Sequence, residues 1–213
     1  MALIDISPAI DALIGVWPGD TPYAQRFNLE MKDGANITLS EISTTVHVGA
    51  HTDAPSHYVA TGDDIAARKL DFYLGRCNVL HVSVARGRRI MPADLADKHV
   101  SAPRVLLRTN TFPDHRNWNT DFASLSPELV DFLHARGVIT IGIDTPSVDP
   151  FESKALEAHQ AFARNDMAII EGVVLDGVDE GEYELIALPL RLIGADASPV
   201  RAVLRTLQPS SRA

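Results

Sequence analysis

Seven short apolar runs rich in β-branched residues recur along the chain, at 37–48, 79–84, 105–108, 138–143, 168–174, 184–192 and 200–207. Runs of this length and composition read as strands. Two stretches carry helix signals instead. In 126–136, Ser126 is placed as N-cap, Pro127 takes the first helical position and Gly137 stops the helix. The second covers about 153–164, with Leu156, His159, Gln160 and Ala163 at three- and four-residue spacing on one face. One helix directly precedes the 138 run and the other the 168 run, which predicts a mixed α/β layer arrangement rather than a pure sandwich. The 213 residues, 46% of them hydrophobic, suffice for one sizeable core, so 1–213 is expected to form a single domain.

Within that framework the segment His47-Val48-Gly49-Ala50-His51-Thr52-Asp53-Ala54-Pro55-Ser56-His57 puts three histidines and a carboxylate into eleven residues. Core packing does not call for such a density, whereas a divalent cation does. Run extended from Val46 onward, the chain would project residues 47, 49, 51 and 53 to one side, with Gly49 leaving that side open. Helical spacing would also join His47 and His51, but Val46, Val48, Gly49, Thr52 and Pro55 oppose a helix. A strand ending in a tight turn near Pro55 is expected. One ion needs about four ligands, so more donors must come from elsewhere. His159 on the second helix and Glu171, at the end of an apolar run just before Gly172, are the candidates. Two carboxylates with three or more histidines exceed one tetrahedral shell, and bridging carboxylates hold paired ions roughly 3.5–4 Å apart. Asp53 and Glu171 are the natural bridges.

Other features narrow the function. A net charge of −9 disfavours nucleic acid, and the short basic cluster Arg86–Arg89 reads as a solvated turn. The single cysteine, Cys77, excludes an intrachain disulfide and sits in an apolar run as a buried small residue. Nowhere do 18 apolar residues run together, and the start of the chain has no basic leader, so a cytoplasmic protein with no membrane partner is expected. Ser147 lacks a G-x-S-x-G context, which leaves a serine nucleophile unsupported. His81, His99, His115 and His134 have no ligand-spaced partner and read as structural or solvated. Asp144, at a strand end, either caps the turn at Thr145-Pro146 or stands behind the ligands. The tail 208–213 is expected to fray.

The stretch His47 to Pro55 resembles the motif H-x-G-T-H-x-D-x-P of the cyclase-like metal-dependent amidases, with Ala50 where that family often has threonine. Trp17-Pro18-Gly19-Asp20, Ser56-His57, the run Gly142-Ile143-Asp144-Thr145-Pro146-Ser147-Val148-Asp149-Pro150, His159 and Glu171-Gly172 are similar to its formamidase branch, and the likeness covers nearly the whole chain. The resemblance implies that His47, His51 and Asp53 hold one zinc and that Asp53, His159 and Glu171 hold a second, with Glu171 also touching the first. Manganese or cobalt would suit the same nitrogen and oxygen donors. It further implies His57 as proton donor and acceptor, Trp17 as a substrate-binding residue, and a swivelling β/β/α fold with a mixed sheet, usually homodimeric. The implied reaction is hydrolysis of N-formyl-L-kynurenine to L-kynurenine and formate in tryptophan degradation by the kynurenine pathway. That chemistry needs a nucleophile, a polarised carbonyl and a proton for the departing aromatic amine. Zinc supplies the first two and an imidazole the third. Two alternatives stand beside it: another cyclase-family amide hydrolase, such as one opening the ring of isatin, and a non-catalytic metal-binding module. A free His57 weighs against the module, since structural zinc sites close their coordination.

Overall fold

A computed structural model describes residues 1–207, and the tail 208–213 lies outside the described residues. The chain opens with strand β1 (Leu3–Asp5) and a hairpin of β2 (Ala24–Leu29) and β3 (Leu39–Ser43). β4 (His51–Asp53), β5 (Leu74–His81), the short β6 (Arg89–Ile90), β7 (Arg104–Arg108) and the short β8 (Ser124–Leu125) follow. Helix α1 (Pro127–His134), β9 (Thr140–Ile143), helix α2 (Glu157–Arg164) and β10 (Ala168–Glu171) then alternate, before β11 (Gly181–Ile186), β12 (Ala197–Pro199) and β13 (Val203–Thr206).

Nine of these strands form one sheet in the order β1-β13-β11-β5-β7-β9-β10-β4-β12. Its centre, from β5 to β10, is parallel, and both flanks are antiparallel. Parallel neighbours need a crossover connection, and α1 and α2 supply those into β9 and β10. The mixed α/β arrangement expected from the helix positions is therefore the one that forms. Every residue of β9 and β10 is buried, as strands covered on both faces require. Alternation divides their side chains between two cores. Val105, Leu107, Ile141 and Ile169 pack with Leu129 and Leu133 of α1 and Phe162 of α2. Leu106 and Ile170 turn the other way, to Ile6, Tyr73, Cys77 and Leu185.

Helix α1 keeps its sequence signals. The Ser126 hydroxyl accepts the Leu129 N–H at 3.1 Å, a cap worth about 1 kcal/mol, and Gly137 takes φ +82° just beyond the end. Helix α2 departs from expectation, beginning at Glu157 rather than near 153, with Leu156 in the left-handed region. Its buried face is Ala158, His159, Ala161 and Phe162, whereas Gln160 is exposed. The cause is tertiary, because the Asp149 carboxylate accepts the N–H groups of Ala158 and His159 and so caps the helix from upstream. The expected strand at 37–48 shrinks to β3, an exposed arm paired only with β2, and residues 46–50 are turn and bend. Among the described residues no helix is long and apolar enough to cross a membrane.

Candidate metal centre and substrate cavity

Strand pairing assembles the first part of the site. β4 runs antiparallel to β10 with His51 opposite Glu171 and Asp53 opposite Ile169. Opposed residues share a face, so His51, Asp53 and Glu171 converge while Thr52 turns away and donates to the Ile169 carbonyl at 2.6 Å. His51 Nε2 lies 3.2 Å from Glu171 Oε2 and 3.6 Å from Asp53 Oδ1. Helix α2 brings His159 Nε2 to 3.3 Å from Asp53 Oδ2 and 3.8 Å from Glu171 Oε1. His47 joins with Nδ1 3.0 Å from Asp53 Oδ1. It arrives on a loop and not on the extended strand that alternation suggested. Gly49 at φ +63° turns that loop, and a Cβ on Gly172 would lie 2.3 Å from the Gly49 carbonyl oxygen. Only glycine at 172 lets the two segments press together.

The cluster fits a cation. Asp53 Oδ1 is buried and has no hydrogen bond, although two imidazole nitrogens face it from 3.0 and 3.6 Å. A buried carboxylate oxygen needs a partner, and nitrogen and oxygen donors in this number suit a borderline divalent ion. Without one, protons fill the role. Burial works against charge on Asp53, yet the hydrogen bond from His159 and the nearby His47 and His51 outweigh it and hold the carboxyl well below its usual range. Burial likewise opposes charge on His47 and His159, but Asp53 and Asp196 raise His47 to about 9, and Asp149 and Asp53 raise His159 to about 10.

Folding without metal therefore takes up protons at His47 and His159. A raised histidine stabilises fully below its unfolded pKa of about 6.5 and loses that stabilisation as pH rises through the folded value. Chelator-treated protein is expected to show a falling urea midpoint between pH 7 and 10. A flat midpoint would mean that neither histidine is held by its carboxylates.

Further side chains hold the candidate ligands in place. His159 Nδ1 lies 2.8 Å from Oδ2 of the fully buried Asp149, an arrangement that fixes the ring and its tautomer. Glu171 Oε1 accepts the Val148 N–H at 2.7 Å. Arg89 corrects the reading of its cluster as a solvated turn. Its guanidinium reaches the Leu125 carbonyl at 2.8 Å, Asp149 at 3.1 Å and Glu157 at 2.7 Å, while Arg86 and Arg88 do stay outside as surface pairs with Asp121 and Asp94. Asp144 serves as a cap and not as support for the ligands. It accepts both the Thr109 and Asn110 N–H groups at 2.8 Å and the Thr109 hydroxyl at 2.6 Å, so the turn it closes is the one at 109–111 rather than at Thr145-Pro146.

His57 follows β4 on a single turn begun by Pro55, with its ring 4.3 Å from that of His47 and Nδ1 3.1 Å from Asp196 Oδ2. Beside it opens a cavity of about 490 Å³. His51, His159 and Glu171 lie at one part of its wall, and Trp17, Phe112 and Trp118 at another. Trp17 sits at the head of a turn in which Pro18 and Gly19, at φ +96°, occupy the positions a type II turn reserves for them. Phe151 stacks against the Trp17 indole at 4.8 Å and Trp118 meets it edge-on at 5.7 Å. His115 also lines the cavity, and burial holds its pKa down. His81 is structural as expected, bonded to the Val178 carbonyl.

The structure thus brings together Trp17, His47, His51, Asp53, His57, His159 and Glu171. Sequence reasoning missed Asp149, Asp196, His115 and Trp118. Asp149 stood in the run 142–150 with no role assigned, because the helix was expected to start near 153 and not at Glu157.

The mixed sheet thus gathers buried carboxylates and histidines at its strand ends, beside a cavity walled in part by aromatic rings. Residues 4–150 match the family model described as "Putative cyclase", and the chain belongs to this Cyclase family. It is similar to the kynurenine formamidase of Bordetella pertussis, 48% identical over 206 residues, which cover 96% of this chain and 98% of that protein. Among solved structures it is similar to one described as a potential metal-dependent hydrolase with cyclase activity, at 25% identity and a TM-score of 0.83, covering 98% of this chain and 99% of that one. Isatin hydrolase A from Labrenzia aggregata, bound to benzyl benzoate, shares the fold at 20% identity and a TM-score of 0.84, with 97% and 94% covered.

Proposed function

We propose that this chain is a kynurenine formamidase, hydrolysing N-formyl-L-kynurenine to L-kynurenine and formate in tryptophan degradation. A fold alone does not give a function. The observation that carries the reading is identity of 48% along essentially the full length of a kynurenine formamidase, supported by a cluster of histidines and carboxylates that could hold metal beside His57 and Trp17.

In this reading His47, His51, Asp53 and Glu171 hold one divalent ion, and Asp53, His159 and Glu171 a second. Zinc is the expected metal, with manganese or cobalt compatible with the same donors. Such ions, when bound, polarise a carbonyl and lower the pKa of water to about 7. The chain's residues do the rest. Asp149 and the Val148 N–H keep His159 and Glu171 in position. His57, with Nδ1 engaged by Asp196, has Nε2 free to pass a proton to the departing aromatic amine. Trp17 offers an aromatic surface to the substrate ring while Phe151 backs it.

The test is turnover of N-formyl-L-kynurenine by metal-loaded protein, with isatin in parallel. Faster opening of isatin would favour the cyclic-amide reading, and full metal content without turnover of either would favour a binding module. Trp17→Ala is expected to raise KM roughly 2- to 12-fold, the equivalent of about 0.5–1.5 kcal/mol of ring contact, with kcat less affected. Loss of the thermal transition instead would make Trp17 a core residue, held there by Phe151 and Trp118.

We also propose one functional domain, a homodimer and a cytoplasmic location. Site residues from 17 to 196 support the single unit, and the buried Cys77 suits a reducing compartment. The arm of β2 and β3 supports the dimer, because Phe27, Leu29, Leu39 and Ile42 are all at least 43% exposed there. A sedimentation mass equal to one chain would overturn it.

A further inference from the structure

Asp196 immediately precedes edge strand β12 and is anchored on both sides. β12 pairs with β4 so that Ala197 faces Asp53 and Ser198 faces Thr52. The Asp196 carbonyl accepts the Ala54 N–H at 2.8 Å, and the Ala195 carbonyl accepts the Ile65 N–H at 3.0 Å. Its backbone is thereby locked in register with the strand that carries His51 and Asp53. The side chain stands 47% exposed above them, and a single oxygen, Oδ2, lies 3.1 Å from His47 Nε2 and 3.1 Å from His57 Nδ1. Among the described residues no lysine or arginine lies within ion-pair distance of it, so its only close partners are these two rings.

A carboxylate accepts only, so each ring presents its N–H to Asp196 and turns its other nitrogen away. For His47 the other nitrogen is Nδ1, the atom facing Asp53. For His57 it is Nε2. We propose that Asp196 is a positioning residue that sets the tautomer and orientation of both His47 and His57 through this one oxygen, coupling the metal side of the site to its proton carrier. The proposal rests on the reading of His57 as the proton carrier and adds to it the group that makes Nε2 the working atom. Asp196 is not among the residues that line the cavity and acts through the two histidines.

The experiment compares wild type, Asp196→Ala, Asp196→Asn, His57→Ala and the double variant Asp196→Ala/His57→Ala, all loaded with zinc. Loss of an orienting carboxylate behind a histidine costs about 10–100-fold in activity or metal affinity. Asp196→Ala is therefore expected to lower kcat in that range with KM little changed, to weaken zinc affinity about 10-fold, and to cost nothing further in kcat when His57 is already alanine. Asp196→Asn, which keeps the volume, should fall on the same side. Nitrogen-15 NMR of the histidine rings gives a readout apart from activity, with Nδ1–H at His57 in wild type and a changed tautomer in Asp196→Ala. Additive losses of kcat in the double variant at saturating zinc, or an unchanged tautomer, would overturn the proposal. So would loss of a whole ion from Asp196→Ala at saturating zinc, since Asp196, His47 and His57 offer atoms within 4.8 Å of one another and would then be ligands together. If wild type itself fails to hydrolyse the formyl amide, the proposed reaction fails, while tautomer and zinc affinity still decide the role of Asp196.

Discussion

Replacing Asp53 with alanine is expected to remove bound cation and hydrolytic activity together, and to do so more completely than His159→Ala. The two oxygens of Asp53 serve different neighbours. Oδ1 faces His47 and His51, and Oδ2 faces His159. In the proposed centre both ions depend on this carboxylate, whereas His159 contributes to one of them. Strand register makes the position hard to replace, because β4 is held between β10 and β12 and no neighbouring acid can slide into its place. The loss should exceed the roughly 10–100-fold that removal of an outer partner costs. Elemental analysis gives the direct check, with wild type approaching two divalent ions per chain. A stoichiometry of one that does not change when metal is added back would end the paired-ion description and leave a mononuclear site. Equal metal retention in Asp53→Ala and His159→Ala would show that the carboxylate is not shared. Asp53→Asn separates charge from shape, and it should resemble alanine if the negative charge is what counts.

Part of this cluster was legible because His47, His51 and Asp53 sit in one compact segment. His51 and Asp53 lie two apart on a real strand, so alternation placed them correctly on one face. His47 does join Asp53, but on a loop turned by Gly49 and not on the extended strand that alternation suggested. The helix carrying His159 was visible from its spacing, but its start was not. Its cap is the Asp149 side chain, a contact made by the fold and not by the residues beside Leu156. Asp196 left no trace in the sequence. It stands 139 residues from His57, and only the pairing of β12 with β4 brings the two together. Edge strands as short as β1 and β12 carry too few residues for alternation to register, and β3 keeps only part of the run expected at 37–48, fully exposed. Local chemistry was readable wherever one segment supplied it; the groups that orient that chemistry come from distant segments.

Replacing His57 with alanine is expected to separate proton transfer from metal binding. The ring lies beyond Pro55 on its own turn, and Nδ1 is taken by Asp196, so the remaining nitrogen is available to the substrate. Metal content and fold should persist, because the five proposed ligands converge without it. The value of kcat should fall about 10²–10⁴-fold, the usual contribution of a positioned acid or base. KM should change little. The deficit should be greatest for formyl amides whose amine is hardest to expel, since an amine that leaves as a poor anion depends most on receiving a proton as the bond breaks. A substrate with a well-stabilised leaving amine should lose less, giving a steeper dependence on leaving-group basicity in the variant than in wild type. The competing assignment is concrete, because His57 also offers an atom within 4.8 Å of donor atoms on Asp53 and His159. Parallel loss of metal and activity in His57→Ala would therefore make it a ligand and move the proton donor elsewhere in the cavity, where His115 is the remaining imidazole. Full activity with full metal would remove His57 from the reaction altogether, and with it the account of how the aromatic amine departs.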